Sequence, residues 1–495
     1  MRITRLLNNK MLIISLIILS GLALRVYKLG SYSFFCDEIS SIFVSNNLQY
    51  VKYDFHPCLY FILLRIWETI FGSGEFSIRL LSVIPGVLSI YFVFKLGEVL
   101  FNKRIAIISS IMLAVSAPHI FYSQFARPYI FSALFTIVSL YFLMLSLKNN
   151  KNINWAIFSI FSVIGLYTEH FYFLVLISIL PVFIYRENRI FLKKWIIVIS
   201  LILLSYIPAF VIFSGSQFIR IIKNGFWLKQ PGLFDLRILF DFFNFEYEYH
   251  PSSFIYSFLK VLFILLIICS IYFLRKEKKK LILISCILFL PIALVFLISY
   301  ITTPIFIERK FLILVPIYYI FIARGIDGIK NTVVKTTALL IIALIAFTSL
   351  ISYYSIIQPS WKRDFRSVAN YVKTNMKSGD IIVHAVPWSV LPFSYYCRPK
   401  NIDWYSLVFI DSDKSVIAYH NSYRKSYIVN RVQDISKEVR FNRLWLIAGN
   451  FWIGQYGTLD GNSVNIKNWI ERSASLQTTK IIDGVFVELY SRKAD

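Results

Sequence analysis

The sequence predicts an α-helical polytopic membrane protein of about eleven transmembrane helices, followed by a C-terminal soluble α/β domain. Three observations carry this. Of the 495 residues, 57% are hydrophobic, 18% aromatic and only 16% charged, which is far more apolar than a soluble domain of that size. Apolar runs of about 20 residues, the length a helix needs to cross ~30 Å of hydrocarbon, recur through the first 355 or so positions. After Gln358 the composition turns polar. A buried helical core cannot absorb so many apolar runs, and the mean hydropathy of +0.64 agrees.

Taken in order, the runs fall near 11–29, 80–99, 105–123, 129–147, 154–168, 170–185, 195–213, 255–274, 281–301, 310–323 and 335–357. The first follows Arg2, Arg5 and Lys10, as a secretory signal would. It lacks a small-residue cleavage site and further spans follow, so a retained anchor is expected. Basic residues cluster on alternate loops: the N-terminus, Lys103/Arg104, Lys148/Lys151, Arg186/Arg189/Lys193/Lys194, the run RKEKKK at 275–280, and Arg324/Lys330/Lys335. The positive-inside rule makes these loops cytoplasmic, with the N-terminus inside and the C-terminal domain outside. The formal charge of +25 therefore orients helices, and nucleic acid is not an expected partner. Residues 1–357 are read as the transmembrane domain with an outer loop at 30–79, and 358–495 as the soluble one.

In that soluble part, short β-rich runs (Ile381 to Val383, Leu444 to Ile447, Val485 to Tyr490) alternate with polar, helix-compatible stretches. Gly379-Asp380 and Asp483-Gly484 are turn signals. The five cysteines show no metal-ligand spacing, and Cys269 and Cys286 lie in spans, which argues against a disulfide framework. Cys36 and Cys58 share one loop and could pair.

The derived topology brings several polar groups to one membrane face. Asp37 and Glu38, in FFCDEISS, stand just past the first span, where ionisable groups are costly and kept for function. An N-cap for the helix that follows is the plain structural alternative, and Asp37 could serve both roles. His56-Pro57, in DFHPCLYF, opens the next apolar stretch, with Pro marking a helix start. Arg127, in SQFARPYIF, lies on the face where positive charge is disfavoured, so it needs a partner. Glu169 and His170, in GLYTEHFYF, form a polar turn, and Glu308, Arg309 and Lys310 precede the tenth span. Each could be structural alone. Together they are carboxylates plus Arg, His and Lys, the chemistry of sugar-phosphate transfer: cations neutralise a phosphate, and a carboxylate takes the proton of an attacking hydroxyl.

The order of these motifs resembles the bacterial members of the glycosyltransferase C superfamily, the group of the protein O-mannosyltransferases and the lipid A aminoarabinose transferase. The matching pieces are the Asp37-Glu38 pair, HPCLY where the family often has HPPLY, FSIRLLS, SQFARPY where SQEARxY is usual, YTEHFYF against YTHYFxF, and IERKFLILVP. They cover roughly residues 10–325. Phe125 replaces the acidic residue of SQEARxY, Cys58 replaces a proline, and Glu169 stands where histidine is common. The resemblance implies a transmembrane helix bundle with two amphipathic helices in the first outer loop and a C-terminal soluble domain, in the bacterial inner membrane. It implies a polyprenyl-phosphate-linked sugar as donor, and a lipid, glycan or protein as acceptor.

On this reading Asp37 is the general base of an inverting displacement and Glu38 positions it. His56, Arg127, Tyr129, Glu169, His170 and Arg309 bind substrate, and Asp37 and Arg127 are expected to share one pocket. The acidic pair could hold magnesium or manganese, but no third carboxylate is clearly placed with it, so no cofactor is expected. A lipid-linked polysaccharide polymerase or ligase, a transporter or flippase, and a non-catalytic assembly subunit are the rivals. Transporters tend to show internal repeats, and none is evident here.

Overall fold

The computed structural model describes residues 10–184, 186–215, 228–245, 254–358, 363–385, 389–397, 405–409, 426–429, 441–449 and 461–493. The chain forms two compact units. The first holds Met1–Leu29 and Val44–Ser355, the second Gly30–Phe43 and Ile356–Asp495. The segment 30–43, read from the sequence as part of the membrane domain's outer loop, thus belongs with the C-terminal part.

The first unit is helical. Its elements begin with α1 (Lys10–Val26), then α2 (Cys36–Asn46), which starts in the second unit, and α3 (Leu59–Phe71). Next come α4 (Glu75–Leu100), α5 (Lys103–Ala114), α6 (Ala117–Ser123), α7 (Tyr129–Asn149), α8 (Asn152–Leu166) and α9 (Tyr172–Ile179). The remainder are α10 (Leu192–Ala209), α11 (Leu233–Asn244), α12 (Phe254–Leu274), α13 (Lys278–Ile301), α14 (Val315–Gly328) and α15 (Thr332–Ser352). Among the described residues six helical stretches are long and apolar enough to cross a membrane, or seven if the bent pair α5 and α6 counts as one. The protein is a multi-pass membrane chain, and α2 and α3 supply the two helices expected in the first loop.

Two expected spans depart from single long helices for identifiable reasons. The runs at 154–168 and 170–185 form α8 and α9 on either side of the turn at Tyr167–Phe171, as expected, but α9 yields early to a 3₁₀ turn, Leu180–Ile184, that contains Pro181. The run at 105–123 is two helices bent by 60°. There the Ser116 hydroxyl accepts from the His119 N–H and Pro118 opens the new helix. The carbonyls stranded at the end of α5 are met by the buried Arg25 guanidinium, which donates to Leu113 O (3.1 Å) and Ala114 O (3.0 Å). A cation at a helix C-terminus is favoured by the aligned peptide dipoles, and in an apolar bundle an arginine requires such oxygens.

Most of Val315–Gly328 is buried, whereas Thr332–Ser352 buries only Ala338, Ile342, Ile345 and Ser349, so α14 is the helix the others pack around. It approaches α12 closely at Gly325, where an added Cβ would lie 2.6 Å from Leu266 O and 2.5 Å from Ser270 Oγ. Small residues are what permit such helix contacts in membranes.

The second unit is α/β, as expected. Its sheet has the order β3-β2-β1-β4-β6-β5, built from β1 (Ile381–His384), β2 (Tyr405–Phe409), β3 (Ser426–Val429), β4 (Arg443–Ala448), β5 (Ala474–Ile482) and β6 (Val485–Arg492). Strands β1 to β4 pair in parallel, and β6 runs antiparallel to β4 and β5. The helices are α16 (Phe365–Asn375), α17 (Val390–Tyr396) and α18 (Gly461–Ser473). One face buries Val368, Val372 and Phe393 with Ile382 and Trp445; the other buries Ile466 and Ile470 with Val383 and Leu446. The β5–β6 hairpin turns on Asp483 (φ 48°) and Gly484 (φ 76°), the two left-handed positions that tight hairpins use.

Candidate functional site

In the first unit the segment between the 3₁₀ turn Leu48–Tyr53 and α3 carries Asp54 and His56. Asp54 Oδ1 accepts from the Phe55 and His56 N–H groups (2.7 and 3.0 Å) and from His56 Nδ1–H (2.8 Å). Aspartate readily closes such local turns. The proton is thereby fixed on Nδ1, and the Nε2 lone pair accepts from Lys310 Nζ at 3.1 Å. Lys310 sits in a 3₁₀ turn, Glu308–Leu314, that leads into α14. Its ammonium also donates to both oxygens of Glu169 (2.9 and 2.8 Å). Glu169 is presented by the turn after α8, where its N–H reaches Gly165 O. That turn is tied to the start of α3 by Leu59 N–H to Tyr167 O, 3.0 Å, which supplies an acceptor that a helix N-terminus otherwise lacks. At the other end Arg127 Nη1 reaches Asp54 Oδ2 at 3.5 Å.

The result is a buried chain, Arg127, Asp54, His56, Lys310, Glu169, of alternating charge with a neutral imidazole at its middle. Burial, then Lys310 and Arg127, push His56 down from 6.5 to about 4, against the opposing pull of Asp54 and Glu169. Burial works to raise Asp54, but Arg127 and the His56 hydrogen bond outweigh it and hold the carboxyl well below the usual range. Glu169 follows the same pattern, with burial outweighed by Lys310 and then His56. The 3.6 Å approach of His56 Nε2 to Glu169 is accordingly no ion pair, because Lys310 serves both.

Tyr129, at the start of α7, packs against this chain. Its buried ring meets His56 edge-on at 5.2 Å, with the Lys310 ammonium at 5.4 Å and the Arg309 guanidinium at 6.0 Å from its centroid. Five of the expected substrate-binding residues, His56, Arg127, Tyr129, Glu169 and Arg309, are therefore gathered. His170 is turned to α10, with Nδ1 3.1 Å from Tyr206 Oη. Sequence reasoning passed over Asp54 and counted Lys310 among the gathered cations without assigning it to the substrate-binding set. Their signals were the D-x-H spacing and the second cation beside Arg309.

The acidic pair lies in the second unit. Glu38 is fully buried and its Oε2 accepts from Phe35 N–H at 2.9 Å, while Glu38 N–H donates to Phe35 O at 3.0 Å. This is the carboxylate half of a capping box, so Glu38, not Asp37, closes the helix start. Asp37 is half-exposed, with the Cys36 thiol 3.7 Å from Oδ1 and its carbonyl accepting from Ser41 Oγ at 3.2 Å. Asp37 and Arg127 fall in different units. Cys36 and Cys58 are both free thiols. Trp227, in the aromatic-rich loop 214–254 whose sequence suits the membrane interface, lies outside the described residues.

Residues 55–213 match the family model described as dolichyl-phosphate-mannose-protein mannosyltransferase, a stretch that contains His56, Arg127, Tyr129, Glu169 and His170. No curated protein matches the sequence. Among solved structures, ArnT from Cupriavidus metallidurans in the apo state aligns at TM-score 0.63 and 12% identity over 96% of this chain and 97% of that one. The same protein bound to undecaprenyl phosphate aligns at 0.63 and 11% over the same shares. The archaeal oligosaccharyltransferase AglB from Archaeoglobus fulgidus, in complex with an inhibitory peptide and a dolichol-phosphate, aligns at 0.54 and 12%, over 98% of this chain and 74% of that one. The fold is shared across these alignments.

Proposed function

From the premise that this is a multi-pass membrane chain with the glycosyltransferase C fold, we propose that it transfers a sugar from a polyprenyl-phosphate-linked donor to an acceptor hydroxyl at the outer face of the bacterial inner membrane. The observation that carries this reading is the cluster around Tyr129, where Arg127, Arg309 and Lys310 meet a buried histidine and two carboxylates. Cations so placed suit a phosphate, and the likeness to ArnT, solved with undecaprenyl phosphate, supports a lipid-phosphate donor. Nucleotide sugars are cytoplasmic, so an outward-facing enzyme requires a donor that arrives through the bilayer.

In the proposed step the acceptor oxygen attacks the anomeric carbon and its proton passes to Asp37. The bond from that carbon to the phosphate oxygen breaks, and the polyprenyl phosphate leaves with the electron pair and with inversion at carbon. Arg127, Arg309 and Lys310 stabilise the charge that develops on phosphate, the kind of electrostatic contribution that is usually largest. A phosphate is already a stable anion, so no general acid is needed, which suits Phe125 in place of a second carboxylate. We assign no cofactor to the reaction. Glu38, as the residue that closes the helix start, positions Asp37.

Mass spectrometry of lipids and glycans from cells lacking the gene would identify sugar and acceptor. With these in hand, purified protein in lipid nanodiscs is assayed against Asp37→Asn, which is expected to abolish transfer while donor binding persists. Transfer at the wild-type rate would remove Asp37 as base. For Arg127→Ala, weaker binding of the lipid phosphate is expected, and unchanged affinity would remove its role.

A further inference from the structure

The segment Gly30–Phe43 clusters with the C-terminal unit, and the contacts that place it there sit immediately before the acidic pair. The Ser33 hydroxyl donates to the Arg363 carbonyl and accepts from Phe365 N–H at 3.1 Å. Phe34 N–H donates to Tyr396 Oη at 2.9 Å, and its buried ring meets Tyr395 edge-on at 5.6 Å. The anchor on the other side is itself braced: Asp364 N–H donates to Asp483 Oδ2 at 2.8 Å, and Arg363 Nη1 reaches Asp483 O at 3.5 Å. Asp483 is the first of the two left-handed residues of the β5–β6 hairpin, so the brace ends in a tight turn of the sheet.

Only Phe35 separates these contacts from α2, and Glu38 binds Phe35 N–H. The backbone is thus fixed at Ser33 and Phe34 by the C-terminal unit, at Phe35 by Glu38, and from Cys36 onward by the helix. Each residue from Ser33 to Cys36 carries a hydrogen bond or lies in the helix, so a short, tethered stretch joins the sheet domain to Asp37. The buried Ser33 hydroxyl is costly to leave unmatched, and the half-buried Tyr396 hydroxyl adds a second tie to the same backbone.

We infer that the C-terminal domain is the holder of the acidic pair, with Ser33 and Tyr396 as positioning residues for Asp37. This rests on Asp37 as the base, and the domain's task is then to fix that carboxylate, since a displacement of about 1 Å can cost about a hundredfold in rate. Cys36, half-exposed and adjacent to Asp37, is a reporter of the segment that does not depend on turnover.

The test uses the full chain in nanodiscs. Alkylation of Cys36 by iodoacetamide is followed by peptide mass spectrometry, and transfer kinetics are measured in parallel. Ser33→Ala is expected to raise the Cys36 labelling rate severalfold and lower kcat by about tenfold, with the donor KM unchanged. Ser33→Thr, which keeps the hydroxyl, restores both. Tyr396→Phe, a gentler change that removes the acceptor for Phe34 N–H, moves both in the same direction by less. Unchanged labelling in Ser33→Ala and in the Ser33→Ala/Tyr396→Phe pair overturns the inference, and so does raised labelling at unchanged kcat. If Asp37→Asn retains wild-type turnover while Ser33→Ala still raises labelling and lowers kcat, the holding role stands and the base assignment falls.

Discussion

A double-substitution cycle on Lys310 and Glu169 tests the buried chain at its strongest link. The Glu169 side chain is 1% exposed and that of Lys310 11%, with Nζ 2.8 Å from Oε2, so water cannot replace either partner. Removing one member of such a pair leaves a buried charge unmatched, typically at about 3–5 kcal/mol. The structure lowers this estimate on both sides. In Glu169→Gln the ammonium keeps His56 Nε2 and an amide oxygen; in Lys310→Met, His56 can take a proton and turn a charged N–H toward Glu169 across 3.6 Å. Each single change is therefore expected to cost about 3 kcal/mol. The double change removes both charges together and is expected to cost only about 2 kcal/mol rather than about 6. Unfolding free energies are measured by detergent titration in mixed micelles near neutral pH. A double variant whose loss equals the sum of the singles within about 0.5 kcal/mol would show that the two groups do not interact, and the chain as drawn would be wrong.

Three further outcomes are expected. Folded His56 titrates near 4 and the unfolded residue at 6.5, so the unfolded chain binds the extra proton between those values. Stability should be full above pH 6.5 and fall by about 3 kcal/mol as the pH drops to 4, and His56→Gln should flatten that slope in the same unfolding titration. Asp54 and Glu169 are held low, so each stabilises above its ordinary value of 3.8 or 4.5 and adds to the loss only as the pH falls further. Gly325→Val should cost about 1–3 kcal/mol, because the new carbon meets a backbone carbonyl that cannot swing aside; an unchanged unfolding midpoint would deny the close approach of α12 and α14. Asp54→Asn keeps the acceptor for the 55 and 56 N–H groups but strips Arg127 of its buried counter-charge, for an expected loss of about 2 kcal/mol by the same titration.

How much of this could be read from the sequence depends on what each feature requires. Spans are legible because hydrocarbon demands a long apolar run and little else does. Breaks within them are not: Ser116 and Pro118 interrupt the run at 105–123 with small, weakly polar residues, and the oxygens they strand are satisfied by Arg25, some 90 positions upstream. The turn at Asp483-Gly484 was legible because two left-handed residues in succession leave a narrow choice of side chain. Strand β5 was missed because its outward face is polar and exposed, as in SLQTTK, and nothing in that run marks a strand by alternation. The grip of the C-terminal unit on Ser33 was invisible for another reason. Its partners are the backbone of Arg363 and Phe365, and main-chain groups leave no trace in the identity of the residues that carry them.

With Phe125 in SQFARPY, the charge of Arg127 has to be matched from elsewhere in the chain. With Phe at 125 the position is closed by aromatic packing, 5.4 Å from the Phe121 ring and 6.2 Å from that of Tyr122. Arg127, two residues on, is nevertheless buried, and a buried guanidinium without a counter-charge would be severely destabilising. Asp54 supplies that counter-charge from a different loop, with the same carboxylate that fixes the His56 tautomer. One anion therefore serves two constraints, matching Arg127 and holding the proton on Nδ1 so that Nε2 can receive Lys310. An aspartate in a polar loop is ordinarily solvated, so its position in the sequence gives no hint of either task; only the burial of both partners makes them necessary.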